Sequence, residues 1–333
     1  MTNAEIPIII DSKPRSKQFM SYLFTKYWFA AFTLLTTFFI VTMNVGQYWI
    51  FDIIEQSTCF LVGGYGILFG LFAILKQRQA SAVTVIFLII LLARNTTVVT
   101  DSVGASKEKS ARTLKIISAN VNKENPNHNS FIELINKHQP DIFAVIELNS
   151  AWQKSLANLS DYSQKYLSAL ENNFGIGVYS KNHIKSAKIF SLVLDKHKNV
   201  LIEISKDNCP HRMLTTHIEP PLSQWDIQIR QKQLDKIQII NADSPIDLIV
   251  GDLNMTPWSA VFKDFQVRSG FRLIKDIYLL KGSWPSFMPP FMRFPIDHIL
   301  VKDHVSVSSI KILDSIGSDH RPLEIVLNCP ENR

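Results

Sequence analysis

The sequence is poor in charged residues and in cysteine. Asp, Glu, Lys and Arg make up 19% of the 333 residues, whereas about a quarter is usual for a soluble domain. The chain has three cysteines, and their unrelated spacings exclude a zinc site built from cysteine ligands. Fixed-period repeats and low-complexity tracts are also absent, which excludes repeat architectures, fibrous proteins and wholesale disorder. The apolar residues, 46% of the chain, therefore require a globular core, a membrane or both.

The basic excess of the chain is small and dispersed. The net charge of +6 divides evenly, because residues 1–100 and residues 101–333 each carry +3. A surface dedicated to a nucleic-acid backbone would concentrate Lys and Arg on one face. The pI of about 9.1 therefore does not by itself indicate such a surface.

The first hundred residues read as a membrane region. They hold 11 of the 64 charged side chains, and long apolar runs of this kind are typical of helices that cross about 30 Å of hydrocarbon. The sequence predicts two to three transmembrane helices within residues 27–100, at about 28–45, 58–75 and 80–99. The third run has 14 uncharged residues before Arg94, so its crossing requires this side chain to reach the interface.

The flanking charges predict the orientation of these helices. Acidic Asp52 and Glu55 lie between the first two runs. Basic residues flank the other ends, namely Lys13, Arg15, Lys17, Lys26, Lys76 and Arg78. By the positive-inside rule, residues 1–26 and the turn 76–79 face the cytoplasm. Three spans would then place the C-terminal domain outside the cytoplasm, and two would place it inside. No removable signal peptide is expected, because the first run is too long for one.

The rest of the chain reads as a polar linker, residues 101–112, and one domain, residues 113–330. Within this domain, strand-like runs alternate with helical patterns, and few of them form repeated βαβ units. The strand candidates are 114–120, 141–147, 174–179, 200–204, 212–217, 246–250, 296–301, 305–313 and 323–327, with helices over 127–138 and through 227–240. This pattern predicts an α/β sandwich of two stacked sheets with helices outside.

Polar residues cluster where these apolar runs end. They are Asn120, Glu147, His217, Asp252, Asn254, Asp297, Asp319 and His320. A single such residue is most often a turn former or a cap. Carboxylates, amides and histidines gathered at one edge are instead what a hard cation and a phosphate group require.

Several short motifs containing these residues occur in a set order. They are Ser118-Ala-Asn120, Glu147, Thr216-His217, Gly251-Asp-Leu-Asn254, Ile296-Asp-His-Ile299 and Gly317-Ser-Asp-His-Arg-Pro322. In this order they resemble the endonuclease/exonuclease/phosphatase superfamily of metal-dependent phosphoesterases. The resemblance implies a four-layer α/β/β/α sandwich of the deoxyribonuclease I type. The stretch Asn254–Ser259 and the dipeptide Trp284-Pro285 resemble more closely a bacterial membrane-anchored subgroup of the YafD type.

The resemblance implies a metal site for Mg²⁺ or Mn²⁺. Glu147 corresponds to the principal metal ligand of the family, with Asn120 and Asp319 completing or flanking the site. Asn122 stands where some relatives have an acidic residue, and for that reason we do not include it in the expected set.

The same resemblance implies the catalytic roles. Asp252 would orient or deprotonate the attacking water, and Asn254 would help to hold it. His320 and His217 would contact the phosphoryl oxygens, with Asp297 holding His320 in its protonation state. Hydrolysis would then proceed by in-line attack of water on phosphorus, without a covalent enzyme intermediate.

The expected substrate is a phosphodiester, and its class stays open between nucleic acid and a phospholipid headgroup. An endonuclease-like activity is the first expectation, a phospholipid or sphingolipid phosphodiesterase is the alternative, and a non-catalytic binding module is a third hypothesis. The N-terminal helices imply contact with a lipid bilayer, and no obligate protein partner is inferred. The expected location is a bacterial inner membrane, with the catalytic domain on the periplasmic side.

Two further features bear on these alternatives. The segment 284–294 is rich in aromatic residues, Met and Pro, which excludes a regular helix. It is expected to be a loop that either packs on its own domain or touches a hydrophobic substrate or the bilayer surface. Cys209 and Cys329 would pair if the domain lies in an oxidising compartment.

Overall fold

The N-terminal region consists of apolar helices. The computed structural model describes residues 27–29, 31–38, 48–95, 100–101, 112–181, 183–206, 209–274 and 282–329. The first helices are α1 (Tyr27–Phe38), α2 (Trp49–Gln56), α3 (Thr58–Ile74) and α4 (Arg78–Asn95). Parts of the expected first and third spans, residues 39–45 and 96–99, lie outside the described residues.

Helices α3 and α4 pack against each other through one face only. The rings of Tyr65 and Phe87 lie 4.1 Å apart between centroids, and Phe87 is fully buried. The opposite faces expose large apolar side chains, among them Ile67, Ile74 and Ile89. Within the described residues no single helix is long and apolar enough to span a membrane, whereas α2 and α3 together are, with a bend of 63° between them.

The remainder of the described chain is a mixed α/β fold with two principal sheets. Its strands are β1 (Thr100–Asp101), β2 (Thr113–Asn120), β3 (Ile142–Ile146), β4 (Gln164–Ser168), β5 (Ile176–Ser180), β6 (Ile184–Ser191), β7 (Lys198–Lys206), β8 (Cys209–His217), β9 (Leu248–Asp252), β10 (Leu273–Ile274), β11 (Asp297–Val301), β12 (Val307–Ile312) and β13 (Leu323–Asn328). The six-stranded sheet has the order β12-β13-β2-β3-β5-β4, and the five-stranded sheet has the order β11-β9-β8-β7-β6. Strands β1 and β10 form a separate parallel pair.

The helices of this domain lie on the outer faces of the sheets. They are α5 (His128–His138), α6 (Ser150–Leu156), α7 (Gln224–Asp243) and α8 (Ala260–Ser269). Successive side chains of a strand point to opposite faces of the sheet, so one strand can contribute to the apolar layers on both faces. In β2, Ile116 joins the core shared with the five-stranded sheet, whereas Ile117 joins the cluster beneath α5 and α6. The arrangement is consistent with the expected sandwich.

Several elements have no counterpart in the sequence-based prediction, among them β4, β6, α6 and α8. Strands β4 and β6 lie at the edges of their sheets, and β6 exposes half of its side chains. Edge strands carry a weak apolar alternation because only part of their surface is buried. Helices α6 and α8 have 7 and 10 residues, which is short for a reliable periodicity.

Candidate active site

The five-stranded sheet brings three of the expected site residues side by side. Strands β8 and β9 are parallel, so their carboxyl ends meet at one edge, where His217 pairs with Asp252. Strand β11 is antiparallel to β9, so its first residue, Asp297, pairs with Asp252 from the other side. The register of three strands therefore places an imidazole and two carboxylates in one row.

The six-stranded sheet supplies the opposing half of the site. Asn120 ends β2 and pairs with the last residue of β3, immediately before Glu147. The Asn120 amide Nδ2 donates to Glu147 Oε1 at 3.1 Å and to Asp252 Oδ2 at 3.2 Å. This one side chain thus connects carboxylates that belong to different sheets. Its carbonyl oxygen accepts from the Asn122 backbone N–H at 3.0 Å, so a metal-ligating role for Asn120 requires its amide to turn over.

His320 is held between two carboxylates. Its Nδ1 lies 2.7 Å from Asp297 Oδ2, and its Nε2 lies 3.8 Å from Asp252 Oδ2. Burial opposes the charged imidazole, but the charges of Asp297 and Asp252 outweigh it and raise the pKa of His320 to about 10. The side chain is therefore an imidazolium at neutral pH, with an N–H group at each ring nitrogen.

Asp252 is buried beside a second carboxylate. Burial and the neighbouring charge of Asp297 together raise the pKa of Asp252 to about 7, against the opposing effect of His320. A carboxylate with a pKa near neutrality can accept a proton from water more readily than an ordinary aspartate. This is the property that a general base in this position needs.

His217 differs from His320 in its protonation. Its Nδ1 lies 2.8 Å from the carbonyl oxygen of Asn173, which can only accept, so Nδ1 carries the proton. Burial lowers the pKa of His217, and the neutral ring then accepts at Nε2 from Asn254 Nδ2 at 3.1 Å. The same Asn254 amide donates to the Ile218 carbonyl at 2.9 Å. Asn254 and His217 therefore orient each other.

Two residues outside the expected set hold Asp319. The amide of Asn122 donates to Asp319 Oδ1 at 2.8 Å, and the indole of Trp284 donates to Asp319 Oδ2 at 3.0 Å. Asn122 has a positive φ of 54°, which turns the chain directly after β2. Asn122 stands out in the sequence through the family pattern, whereas Trp284 could have been found only by knowing that the loop 284–294 folds back onto residue 319.

We expect the Trp284→Phe variant to hydrolyse phosphodiesters about 3- to 10-fold more slowly, because Asp319 loses one hydrogen bond to its charged group. Steady-state rates at saturating metal would measure this effect. Trp225→Phe is the matched control, since Trp225 is 60% exposed. Equal rates for the two variants would contradict a positioning role for Trp284.

Gly251 allows β8 and β9 to approach closely just before Asp252. Its φ is 141°, and a Cβ added at this position would lie 1.9 Å from the backbone oxygen of Thr216. We expect Gly251→Ala to lower the free energy of unfolding by about 1–3 kcal/mol and to reduce activity, because the strands must separate. Thermal unfolding and hydrolysis rates would be measured beside Gly66→Ala, where a Cβ meets no atom within 4 Å. A Gly251→Ala protein as stable and active as Gly66→Ala would refute this account.

Five of the eight expected residues line one cavity of about 610 Å³. Glu147, His217, Asp252, Asn254 and His320 all reach this cavity. Apolar and aromatic side chains form much of the remaining wall, including Ile53, Phe174, Leu222, Trp284, Phe294 and Ile296. Asp319 lies on the far side of His320 and lines a neighbouring pocket instead.

The donor set suits a hard divalent cation. The carboxylate oxygens of the buried Asp252 and Asp297 lie within 4.8 Å of each other and of a ring nitrogen of His320. His320 itself, as an imidazolium, offers no lone pair to a cation. The paired buried carboxylates, together with Glu147, supply the oxygen-rich and negative surroundings in which Mg²⁺ or Mn²⁺ binds. A second group, His211, Asp247 and His304, lies at the opposite ends of β8 and β9. There Asp247 accepts from His304 Nε2 and from the Arg212 N–H, both at 2.8 Å.

A two-sheet α/β fold with carboxylates and histidines at the strand ends defines a phosphoesterase of the deoxyribonuclease I type. The sequence profile of the Endonuclease/Exonuclease/phosphatase family matches residues 117–320, more than half of the chain. The chain therefore belongs to this family, whose members are hydrolases that act on phosphoester bonds and are typically dependent on divalent metals. No curated protein sequence matches the chain significantly.

Solved structures with this fold come from animals and bacteria. TDP2 from D. rerio, complexed with a single-strand DNA product, has a TM-score of 0.55 and 16% identity, covering 65% of this chain and 99% of its own. The 3′ phosphatase NExo from Neisseria, bound to a product DNA hairpin, has a TM-score of 0.53 and 14% identity, covering 64% and 98%. A family member from Bacteroides thetaiotaomicron has a TM-score of 0.54 and 15% identity, covering 65% and 97%. These likenesses establish the shared fold.

Proposed function

We propose that this chain is a membrane-anchored, Mg²⁺- or Mn²⁺-dependent phosphodiesterase with endonuclease-like activity. The observation that carries the proposal is the cavity in which a buried imidazolium, a neutral histidine and a carboxylate of raised pKa meet. Each of these groups has a place in the attack of water on a phosphoryl group.

The protonation states assign a different role in hydrolysis to each side chain. Asp252 takes the proton of the attacking water, and Asn254 orients that water. His320 donates from Nε2 to a phosphoryl oxygen, because Asp297 occupies its Nδ1. The proton that Asp252 takes from water can pass to His217 Nε2, 3.6 Å away, which then donates to a second phosphoryl oxygen. Glu147 would hold a divalent cation at the cavity wall, with Asp319 flanking the site from the neighbouring pocket, and that cation would supply neutralisation of phosphoryl charge.

The first candidate substrate is nucleic acid. Two structural relatives are described as bound to DNA products, and a duplex or single strand offers the phosphodiester that this chemistry cleaves. Lys196 is the basic side chain among those lining the cavity, and it contacts Glu219 at 3.2 Å. The described wall of the cavity therefore offers few contacts to phosphate charge beyond those of the site histidines.

A phospholipid or sphingolipid headgroup is the second candidate, and the loop 284–294 favours it. Phe287 is 77% exposed and Phe291 is 61% exposed, so part of this loop does not pack on its own domain. Phe294, in the same loop, contacts Phe60 at the start of α3 with ring centroids 4.8 Å apart. The loop that carries the exposed rings therefore contacts the first turn of the apolar helix α3.

Membrane anchoring is supported by the composition of α3 and α4. Helix α3 is uncharged along its 17 residues, which extend for about 25 Å. Its outward side chains and those of α4 have no protein cover in the described residues, for example Ile67 and Ile86. Exposed apolar surface of this extent is typical of contact with lipid.

The docking of α2 supports a location of the domain outside the cytoplasm. Asp52 on α2 pairs with Arg230 on α7, so α2 and the catalytic domain lie on the same side of any membrane. If α3 and α4 both cross, the turn at Lys76 and Arg78 faces the cytoplasm and the domain faces the other side. Cys329 is disulfide-bonded and Cys59 is free, which suits an oxidising compartment. The side chain of Cys209, the expected partner, lies outside the described residues.

A substrate panel tests the proposed function. The full chain in detergent, stripped of metal, would be given plasmid DNA, RNA and phospholipid or sphingomyelin vesicles, with and without Mg²⁺. Metal-dependent turnover of the nucleic acids supports the first candidate, and turnover of the vesicles alone supports the second. A folded protein that hydrolyses none of them with either Mg²⁺ or Mn²⁺ would favour the binding module and contradict the proposal.

A further inference from the structure

Helix α2 precedes the apolar hairpin, yet it forms part of the wall of the catalytic cavity. Ile53, Gln56 and Ser57 line this cavity together with His217 and Asp252. The cavity wall thus combines residues that are far apart in the chain, for example Gln56 and Asn254, which are 198 positions apart and share a hydrogen bond. The segment between the first two apolar runs is therefore built into the catalytic domain.

A fully buried ion pair fixes α2 on the domain. Arg230 Nη2 donates to Asp52 Oδ1 at 2.7 Å, and Arg230 Nη1 donates to Asp52 Oδ2 at 3.0 Å. Neither side chain has any exposed surface. Glu55 Oε2 adds a bond at 2.9 Å from the N–H of Ala260, the first residue of α8. The helix is thus anchored at two points, on α7 and on α8.

Gln56 uses both ends of its amide on the loop that follows Asp252. Its Nε2 donates to the Asn254 carbonyl at 3.2 Å and to Asp52 Oδ2 at 3.1 Å. Its Oε1 accepts from the Thr256 N–H at 2.5 Å, and its own carbonyl accepts from the Thr256 hydroxyl at 3.2 Å. Asp52 can only accept from Nε2, so the orientation of the Gln56 amide is defined.

This loop needs external support. Asn254 has a positive φ of 49°, which is unfavourable for a residue with a side chain. It also has to present its amide to His217 while Asp252 faces His320. Backbone bonds to a neighbouring element hold such a conformation in place.

We propose that Gln56 is a positioning residue for the Asp252–Asn254 loop, so that the catalytic unit includes helix α2 and does not begin at Thr113. This inference deepens the proposed function and rests on it for its kinetic part. It couples the membrane-proximal segment directly to the geometry of the catalytic base. Ile53 on this helix and Ser57 directly after it then border the space that a substrate can occupy.

The test uses the full chain in detergent with the variants Gln56→Met and Gln231→Met. Met keeps the length of glutamine and removes both hydrogen-bonding ends. Gln231 is a matched control, because its Nε2 bonds only within α7, to Asp235 Oδ1 at 3.0 Å. We expect kcat to fall about 10- to 100-fold in Gln56→Met with KM changed less than about threefold, since the base is displaced but the cavity remains. The control should stay within about twofold of wild type.

A second readout does not depend on activity. Hydrogen exchange at the Thr256 amide, followed by mass spectrometry of the peptide 252–259, should be about tenfold faster or more in Gln56→Met and unchanged in Gln231→Met. Unchanged exchange, or unchanged kcat in an active wild-type background, would overturn the inference. If the wild type hydrolyses nothing, the proposed function fails, and the exchange result still decides whether Gln56 holds the loop.

Discussion

Replacing Asp252 by Asn is expected to reduce metal-dependent phosphodiester hydrolysis by about 10³-fold, because the amide cannot accept a proton from water. The substitution keeps the shape of the side chain and the bond from the Asn254 N–H to Oδ1 at 2.9 Å. The variant should therefore fold normally. Initial rates at saturating substrate and metal, beside a melting curve, would measure the effect.

The control for this prediction is Asp264→Asn. Asp264 lies on α8, is exposed, and pairs with Arg268 within the same helix at 2.6 Å, so its loss should leave the rate within about twofold of wild type. If Asp252→Asn kept more than a tenth of the wild-type rate, Asp252 would not be the base. The base would then have to be sought among Glu147, Asp297 and Asp319.

Removing the carboxylate of Asp52 is expected to lower the free energy of unfolding by about 3–5 kcal/mol, because Arg230 would keep a buried charge with no partner. Asp52→Ala also takes one acceptor from Gln56. The variant should therefore lose activity along with stability. Denaturant or thermal unfolding of the full chain in detergent, followed by intrinsic fluorescence, would measure the stability change.

Arg268→Ala provides the comparison for Asp52→Ala. Arg268 also pairs with aspartates, but its side chain and those of its partners are well exposed, and exposed pairs contribute about 0–1 kcal/mol. The difference between the two variants tests whether α2 is docked. If Asp52→Ala were as stable as Arg268→Ala, the buried ion pair would not exist in the protein.

The sequence predicts which residues the sheet brings together because each strand of the core ends where its apolar run ends. His217, Asp252 and Asp297 follow or begin buried strands, and the register of those strands alone makes them neighbours. The family motifs add the order in which such residues occur. Local patterns of this kind persist in the folded protein because burial determines them.

The parts that escape prediction depend on contacts between distant segments. Asp52 and Glu55 read as solvated residues of a connection between two apolar runs, yet both are buried against the catalytic domain. Trp284 reads as part of a hydrophobic loop, yet its indole holds Asp319. The local pattern of apolar residues cannot predict such contacts, because each contact depends on how two distant segments of the chain are placed in the fold.

Restoration of activity by metal tests the central claim most directly. The full chain in detergent, freed of metal by chelation, would be assayed on a small phosphodiester such as bis(p-nitrophenyl) phosphate while Mg²⁺ or Mn²⁺ is added back, with Asp252→Asn in parallel. We predict no turnover without metal, saturable recovery on addition of metal, and no recovery in Asp252→Asn. A rate that is independent of metal, or equal recovery in the variant, would contradict the assignment of this site as a metal-dependent phosphodiesterase.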